Sequence, residues 1–190
     1  MLHPYRQWFK RPFDLTVASA GLLVFALPML WISLRIRKEL GRPALFLQQR
    51  IGRDGNRFII FKFRTMNDRA EVTSIFCRKL RDTAMDELPQ LVNILRGEMS
   101  FVGPRPLIPE ELRDLERVSG GRRRLALRPG LAGLTQLHSD KVPSLEDRLR
   151  TDLDYIDRCS FSLDLKILFA SVGVTGRGAW ERPGPKSRIL

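Results

Sequence analysis

Residues 86–106 read DELPQLVNILRGEMSFVGPRP. Apolar residues recur there at the i, i+3, i+4, i+7 spacing of one helical face: Leu88, Leu91, Val92 and Leu95. Gly97 closes the pattern, and Pro89 belongs in a first helical turn because it has no N–H to donate. This makes Asp86 the expected N-cap of the helix, although a cap at Thr83 with Asp86 in a capping-box position also fits.

The segment before this helix predicts a β-hairpin at residues 43–63. Two apolar runs, 44–47 and 58–61, flank a polar turn that contains Asp54 and Gly55. Apolar runs separated by a short turn with Asp-Gly are typical of antiparallel strand pairs.

The segments after residue 106 predict further helices separated by glycine-containing breaks. In chain order these are a helix from Pro109 to Val118, a break at Gly120-Gly121, an extended piece at 131–137, and helices at 144–158 and 161–174. The last helix either packs in the core or lies on a membrane surface. Residues 175–190 predict a flexible tail.

An uncharged apolar run of twenty residues, Leu15 to Leu34, has the length of a transmembrane helix. Basic residues flank it on both sides, and the positive-inside rule therefore places both flanks on the cytoplasmic side. Pro28 interrupts the run and removes a backbone hydrogen bond. A helix that enters the membrane, bends at Pro28 and returns to the same face fits both facts. A single-span helix is the alternative; a signal peptide fits poorly, because the small residues at 18–20 precede most of the apolar run.

The charge balance is the outlying feature of the composition. Lys and Arg number 33 against 21 Asp and Glu, which gives a net charge of +12, and 26 of the 33 are Arg. Such an excess favours a phosphate-bearing partner, namely nucleic acid, anionic lipid or a nucleotide. A GC-rich genome would enrich Arg as well. A hydrophobic fraction of 43% excludes wholesale disorder.

The chain has few residues of the types that bind soft metals. Cys77 and Cys159 have no C-x-x-C spacing, and there are only two histidines. This excludes a disulfide framework, a zinc site and a histidine-based metal centre. Any metal is therefore a hard cation held by carboxylate and phosphate oxygens.

The acidic pair Asp86-Glu87 is the first candidate for chemistry. A carboxylate at a helix N-terminus stays ionised, and the same end of the helix dipole attracts phosphate. One carboxylate there can attack phosphorus while its neighbour binds a magnesium ion. The spacing alone favours a purely structural capping role over a catalytic one.

Four cations form the second candidate set, as substrate-phosphate ligands: Lys62, Arg64, Arg105 and Arg128. Arg105 lies between two prolines, and Arg128 precedes a third. The rigid backbone at such positions suits preorganised phosphate binding. Read singly, each side chain is better explained as a solvated surface charge.

Four strings of this sequence resemble those of a known family. They are KFRTM (62–66), DELPQLVNILRGEMSFVGPRP (86–106), RPGLAGLTQ (128–136) and SLDLKIL (162–168). The likeness is to the small monotopic polyprenol-phosphate phosphoglycosyl transferases of bacteria, also called the bacterial sugar transferase family. It begins with KRPFD at residue 10 and extends to about residue 168, nearly the whole chain.

The resemblance implies an enzyme that binds a UDP-sugar and Mg²⁺ at the cytoplasmic membrane face. Asp86 matches the family's aspartate that attacks the sugar-bearing phosphorus, releases UMP and holds the phospho-sugar covalently. Undecaprenyl phosphate, the usual bacterial polyprenyl phosphate, then accepts the phospho-sugar. Glu87 matches the neighbouring acid associated with magnesium, and Arg105 matches a phosphate-binding arginine. Asp86 and Glu87 are thus the expected metal ligands.

The expected fold is α/β and helix-rich, with three parts. These are a re-entrant membrane helix at 1–42, a cytoplasmic catalytic domain with a short β-hairpin and interfacial helices at 43–174, and the tail at 175–190. The family's N-terminal helix is re-entrant, which agrees with the flanking charges. Many members have Ser-Pro at the bend, where this chain has Leu27-Pro28.

The expected location is the bacterial inner membrane, where the reaction would be the first membrane step of glycan assembly. The expected partners are the UDP-sugar, undecaprenyl phosphate and the membrane, but not nucleic acid; a homo-oligomer is left open. One rival is a membrane-tethered protein that binds nucleic acid or lipid, which explains the charge but not the acidic pair. A second rival is an inactive scaffold, against which the intact acidic pair argues.

Overall fold

A computed structural model describes residues 5–138 and 144–180 of the chain. Within them, helices dominate and four short strands form two separate two-stranded sheets, as the α/β, helix-rich prediction requires. The elements are α1 (Lys10–Leu40), β1 (Leu45–Ile51), β2 (Arg57–Phe63), α2 (Ile75–Asp82), α3 (Gln90–Arg96), β3 (Ser100–Val102), α4 (Pro109–Arg117), β4 (Gly130–Ala132), α5 (Leu134–His138), α6 (Leu145–Arg158) and α7 (Phe161–Gly176).

The predicted hairpin is confirmed. Strands β1 and β2 pair antiparallel over their full length, 45–51 with 57–63. The turn between them places Asp54 and Gly55 at positive φ, 58° and 82°. Gly adopts this conformation without steric cost, and Asp tolerates it better than most residues do.

Helix α3 is held against β2 by the fully buried side chain of Asn93. Its Oδ1 accepts from the N–H of Phe61 at 3.1 Å, and its Nδ2 donates to the carbonyl of Ile59 at 2.7 Å. Nδ2 also donates to Glu98 Oε2 at 2.7 Å. Because β2 pairs only with β1, its outward backbone groups need other partners. A single amide therefore satisfies two of them and fixes β2 along α3.

The start of α3 differs from the prediction. The helix begins at Gln90, with Pro89 in the cap position, and Asp86 lies earlier, in the separate 3-10 turn Met85–Glu87. The reason is Ala84, whose left-handed φ of 52° turns the chain away from α2 before α3 starts. The interpretation of Asp86 as the N-cap is therefore wrong.

Two further predicted cap residues lie at the ends of α2 and α3. Thr83 does not cap α3, because its Oγ1 donates to the carbonyl of Lys79 at the end of α2, 2.7 Å away. Gly97 does end α3, as predicted. Its φ of 83° is left-handed, and its N–H donates to the carbonyl of Ile94 at 3.0 Å.

Strands β3 and β4 pair in parallel and approach so closely that two glycines are required. A Cβ on Gly103 would lie 2.4 Å from the carbonyl oxygen of Arg128, and one on Gly130 would lie 2.1 Å from the nitrogen of Gly103. The predicted extended piece at 131–137 is wrong in its second part, which is helical from Leu134 onward.

The C-terminal helix extends beyond its predicted end at residue 174. Helix α7 continues to Gly176, and Trp180 packs back on the domain. Its ring N–H donates to Thr175 Oγ1 at 2.8 Å, and its backbone N–H donates to the carbonyl of Asp82 at 3.1 Å. The predicted tail thus begins with ordered residues, and residues 181–190 lie outside the described part of the chain.

Helix α1 continues without interruption through Pro28 and is long and apolar enough to cross a membrane. Its 31 residues span about 46 Å. Both ends pack on the same domain. Near the start, Ala18 is buried in the main core; near the end, Ile32 and Ile36 are buried in a second cluster that includes residues of the hairpin and of α2.

The opposite face of α1 is apolar and exposed. Six large side chains on it are more than half exposed: Leu23, Val24, Leu27, Leu30, Trp31 and Leu34. A continuous exposed apolar surface of this kind is typical of contact with a membrane or a partner protein.

A buried ionic network fixes the N-terminal end of α1. Lys10 forms an ion pair with Asp164 of α7, and both side chains are less than a tenth exposed. Tyr5 donates its hydroxyl hydrogen to Asp164 Oδ2 at 2.6 Å, and Tyr155 donates to Asp164 Oδ1 at 2.7 Å. Both charges are therefore compensated, as burial requires.

Replacing Asp164 by Asn should destabilise the protein, because it leaves the Lys10 ammonium buried without its counter-charge. We expect the free energy of unfolding to fall by about 3 kcal/mol or more. Denaturant unfolding of the detergent-solubilised protein measures the loss. The matched control is Asp154→Asn, which breaks an exposed pair with Arg158 and should cost at most about 1 kcal/mol. Equal losses in the two variants would contradict an anchoring role for the buried pair.

Candidate active site

The acidic pair Asp86-Glu87 lies in the 3-10 turn between α2 and α3. The N–H of Glu87 donates to the carbonyl of Ala84 at 3.1 Å, which closes the turn. Met85 and Leu88, the residues on either side of the pair, pack against the apolar cluster that joins the end of α1 to α2 and β2. The turn is thus anchored by its apolar neighbours, while Asp86 itself is only 8% exposed.

Burial, and after it the charge of Glu87, raise the pKa of Asp86 to about 6 against the opposing charges of Lys62 and Arg81. The sequence predicted that the N-terminus of a helix would stabilise the ionised form of Asp86. That prediction is wrong, because α3 begins only at Gln90. A carboxyl with this pKa is still mostly ionised at pH 7. Asp86 is therefore a charged but poorly solvated carboxylate, which favours nucleophilic reactivity.

Glu87 forms an ion pair with Lys62 of β2. This pair joins the turn to the hairpin and lines a small pocket between the two sheets. The other polar side chains around the pocket are Arg50, Gln90, Arg105 and Gln136. The structure therefore brings together three of the predicted site residues, Lys62, Glu87 and Arg105, with Asp86 next to them in the chain.

Three pocket residues that sequence reasoning did not identify each carry a buried polar atom without a hydrogen-bond partner in the structure. The atoms are Arg50 Nε, Gln90 Nε2 and Gln136 Oε1. Leaving a buried polar atom unpaired costs about 1 to 3 kcal/mol, so three around one pocket indicate that water or a polar ligand completes them. The only sequence signal was their position, since Gln90 and Gln136 lie within the family-like strings and Arg50 lies just before the hairpin turn.

Burial lowers the pKa of Arg50, and the nearby charge of Arg105 lowers it further. Two guanidinium groups that repel each other across a pocket form a favourable site for an anion. Arg50 is oriented by two hydrogen bonds, from Nη1 to the carbonyl of Pro106 at 3.0 Å and from Nη2 to Gln48 Oε1 at 2.6 Å. Its position is therefore fixed by the backbone that also carries Arg105.

Arg105 has an exposed side chain on a backbone that a buried ion pair holds in place. The Nη2 of Arg124 donates to the carbonyl of Arg105 at 2.8 Å, and its Nε contacts Asp152 Oδ2 at 2.6 Å. Thr135 donates to the other oxygen of Asp152 at 2.8 Å. Arg124 and Asp152 are thus positioning residues for the Arg105 loop, and no sequence pattern indicated that they pair.

Arg64 and Arg128, the other two predicted phosphate ligands, lie at helix C-termini. Arg64 Nη2 donates to the carbonyls of Leu40 and Gly41 at the end of α1. Arg128 Nε donates to the carbonyl of Gly97 at the end of α3, 2.7 Å away. Neither side chain lines the pocket of the acidic pair. Their observed contacts are with carbonyl oxygens at the negative end of a helix dipole.

The acidic pair has a donor set that fits Mg²⁺. This ion prefers oxygen ligands and commonly binds through one or two carboxylates together with substrate phosphates. Asp86 and Glu87 offer two carboxylates whose mutual repulsion contributes to the raised pKa of Asp86, and a cation would relieve that repulsion. The described residues contain no cluster of three acidic, His or Cys side chains suited to a metal. The remaining ligands would therefore be phosphate oxygens and water.

Comparison with known proteins finds relatives along nearly the whole chain. The profile of a family described as bacterial sugar transferase matches residues 5–178. An uncharacterized sugar transferase, EpsL, of Bacillus subtilis (strain 168) is 36% identical over 173 residues, which cover 86% of this chain and 85% of the relative. The residues that the family profile matches include the acidic pair and every side chain around its pocket.

Two other relatives have names that state a reaction. A Caulobacter vibrioides protein named UDP-glucose:undecaprenyl-phosphate glucose-1-phosphate transferase is 37% identical over 182 residues, covering 86% of this chain and 68% of the relative. The galactosyl transferase CpsE of Streptococcus agalactiae is 33% identical over 196 residues, covering 90% of this chain but 43% of that protein. The chain thus spans less than half the length of the streptococcal relative.

Replacing Asp86 by Asn should stabilise the fold at neutral pH. Because the pKa of Asp86 is about 6 in the folded chain and its ordinary value is 3.8, the folded state holds the proton to higher pH, and wild-type stability falls as the pH rises through this window. Asn does not titrate. The melting temperature of Asp86→Asn should therefore exceed that of the wild type by more at pH 7.5 than at pH 4.5, with EDTA present. A difference that does not depend on pH would contradict the raised pKa.

Proposed function

The chain belongs to the bacterial sugar transferase family, and we propose that it transfers a phospho-sugar from a UDP-sugar to undecaprenyl phosphate, with release of UMP. The product is a polyprenyl-diphosphate-sugar, made in the first membrane step of bacterial glycan assembly. The name of the Caulobacter relative includes both substrates. The relatives' names differ in the sugar, glucose in one and galactose in another, so the sugar of this enzyme is left unspecified.

One observation carries this proposal. A nearly buried carboxylate, Asp86, lies beside a pocket whose surrounding polar groups are cations and unpaired amides. This set of cations can bind a diphosphate, because Lys62, Arg50 and Arg105 can each donate to phosphate oxygens. A nucleophile next to an anion-binding pocket is the arrangement that phosphoryl transfer through a covalent intermediate requires.

The first step is the attack of an Asp86 carboxylate oxygen on the sugar-bearing phosphorus. The new oxygen–phosphorus bond forms while the bridging bond to the UMP phosphate breaks, and UMP leaves with the electron pair of that bond. In the second step an oxygen of undecaprenyl phosphate attacks the same phosphorus. The bond to Asp86 breaks, and the carboxylate is regenerated.

The remaining residues of the pocket bind and orient the substrate. Lys62 keeps Glu87 in position through their ion pair. Arg105 and Arg50 donate to phosphate oxygens, and the unpaired amides of Gln90 and Gln136 complete their hydrogen bonds on the polar substrate. Asp86 and Glu87 would hold Mg²⁺, which when bound stabilises negative charge on the diphosphate as a Lewis acid.

The fold supports a monotopic arrangement on the cytoplasmic face of the inner membrane. The two ends of α1 pack on one domain, so a helix that left one end on the far side of a membrane would lose the contacts of that end. The exposed apolar face of α1 would then enter the membrane while both ends stay on the side of the active site. The basic residues that flank the helix favour the cytoplasmic side.

The reaction can be tested by UMP release in detergent with undecaprenyl phosphate, Mg²⁺ and a panel of UDP-sugars. Asp86→Asn should lower the rate by about 10⁴-fold or more, since removing a catalytic nucleophile acts on that scale. Glu87→Gln should lower it by about 10²-fold, with partial recovery in excess Mg²⁺. Asp114→Asn, an exposed substitution on α4, serves as the control and should stay within about twofold.

Two outcomes of that assay would count against the proposal. Full activity of Asp86→Asn would exclude the covalent route, and no UMP release by the wild type with any UDP-sugar would exclude the reaction itself. The melting temperature of Asp86→Asn shows whether its lost activity reflects lost chemistry rather than unfolding.

The membrane arrangement can be tested by cysteine labelling in a variant without Cys77 and Cys159. Single cysteines replace Trp8 or Lys38, one near each end of α1, or Lys166 on α7 as the reference for the catalytic domain. An impermeant maleimide should label all three positions in inside-out vesicles and none in intact spheroplasts. Labelling of the Trp8→Cys position in spheroplasts would show that α1 crosses the membrane.

A further inference from the structure

A second, larger cavity lies between the C-terminal half of α1 and the hairpin. It is an open groove of about 810 Å³. Six large apolar side chains form most of its lining: Met29, Leu30, Leu45, Phe46, Leu47 and Phe63. Four of them, Leu30 and the three of β1, are more than a third exposed. Such a surface favours an apolar ligand, because covering it removes hydrocarbon from water.

Three arginines also line this groove: Arg37, Arg42 and Arg64. Arg37 and Arg42 are exposed, and no carboxylate in the described part of the chain lies within ion-pair distance of either. Arg64 has a buried Nε without a hydrogen-bond partner. The nearest acid to Arg64 is the fully exposed Asp68, 3.7 Å from Nη1. The groove thus combines an apolar wall with uncompensated positive charge.

This combination selects a ligand with a hydrocarbon chain and an anionic head. A neutral lipid would leave the arginines without a counter-charge, and a free phosphate would leave the apolar wall exposed. The guanidinium groups can bind phosphate oxygens in a bidentate manner. A phosphate attached to an apolar chain satisfies both parts of the groove at once.

The groove also meets the acidic pair through the end of β2. Phe63 lines the groove, and the preceding residue, Lys62, forms the ion pair with Glu87. Lys62 and Arg64 are two residues apart in nearly extended chain, so their backbones are separated by about 7 Å. A phosphate held at Arg64 would therefore lie near Lys62 and the pocket beside the acidic pair.

We propose that this groove is the acceptor site: the isoprene units next to the phosphate of undecaprenyl phosphate pack on Leu30, Phe46 and Phe63, and the arginines bind the phosphate. This assignment rests on the proposed function. A volume near 810 Å³ is that of a small-molecule pocket, about 300 to 1,000 Å³. It therefore holds only the head end of a long prenyl chain, and the rest extends into the bilayer.

The first test separates the two half-reactions. Ser33, a partly exposed residue of α1 that lines the groove, is replaced by Trp to fill it, and the control is Leu27→Trp, an exposed residue of α1 that does not line the groove. Ser33→Trp should raise the KM for undecaprenyl phosphate by about tenfold or more. Stoichiometric UMP release without acceptor should stay as in the wild type. If Ser33→Trp does not fold, Leu45→Trp, at a partly exposed strand position, replaces it.

The second test addresses the charges. Arg37→Gln combined with Arg42→Gln should raise the same KM by about tenfold or more. The control, Arg35→Gln, removes an arginine that pairs with Glu39 and does not line the groove, and it should change the KM by no more than about twofold. Equal KM values in groove and control variants would overturn the assignment. Absence of UMP release from the wild type would instead overturn the proposed function.

A binding experiment that needs no turnover identifies the occupant. A photoreactive polyprenyl phosphate should cross-link to peptides that contain residues 29–47, and undecaprenyl phosphate should compete. Phosphatidylglycerol at the same concentration should not compete. Equal competition by phosphatidylglycerol would mean a general lipid site, and cross-linking confined to other peptides would place the acceptor elsewhere; either result would overturn the proposal.

Discussion

The amide of Asn93 is fully buried and satisfies two outward backbone groups of β2, those of Ile59 and Phe61. Without it, a two-stranded sheet would present unpaired polar groups to the core, which is costly. The same contact fixes the hairpin relative to α3. Since Lys62 follows directly after this contact and Glu87 precedes α3, the position of their ion pair depends on the Asn93 amide.

The excess of arginine divides into two uses. Arg11 donates to the carbonyls of Ile94 and Leu95, and Arg128 donates to the carbonyl of Gly97, so both neutralise the C-terminal end of α3. Arg64 donates in the same way to a carbonyl at the end of α1, and its side chain also lines the groove beside the hairpin. Other arginines, such as Arg50 and Arg105, face pockets instead. Net charge alone therefore overstates how many cations are free to bind phosphate.

The elements that follow from periodicity and turn residues could be predicted from the sequence, and those that depend on tertiary contacts could not. The hairpin and the end of α3 at Gly97 are local features and were predicted. The N-cap at Asp86 was wrong because the left-handed Ala84 separates two turns that a continuous helical pattern conceals. The unpaired atoms of Arg50, Gln90 and Gln136 emerge only when three distant segments enclose one pocket. Asp86 and Glu87 could be proposed because their motif is specific, but the raised pKa required knowledge of burial.

If Asp86 carries the phospho-sugar, mass spectrometry should detect the adduct in wild-type protein incubated with Mg²⁺ and its UDP-sugar but no lipid acceptor. We expect a mass increase equal to one phospho-sugar on the peptide that contains Asp86, and we expect it to be lost when undecaprenyl phosphate is added. Release of UMP without any adduct on that peptide, or an adduct on another residue, would contradict this role of Asp86.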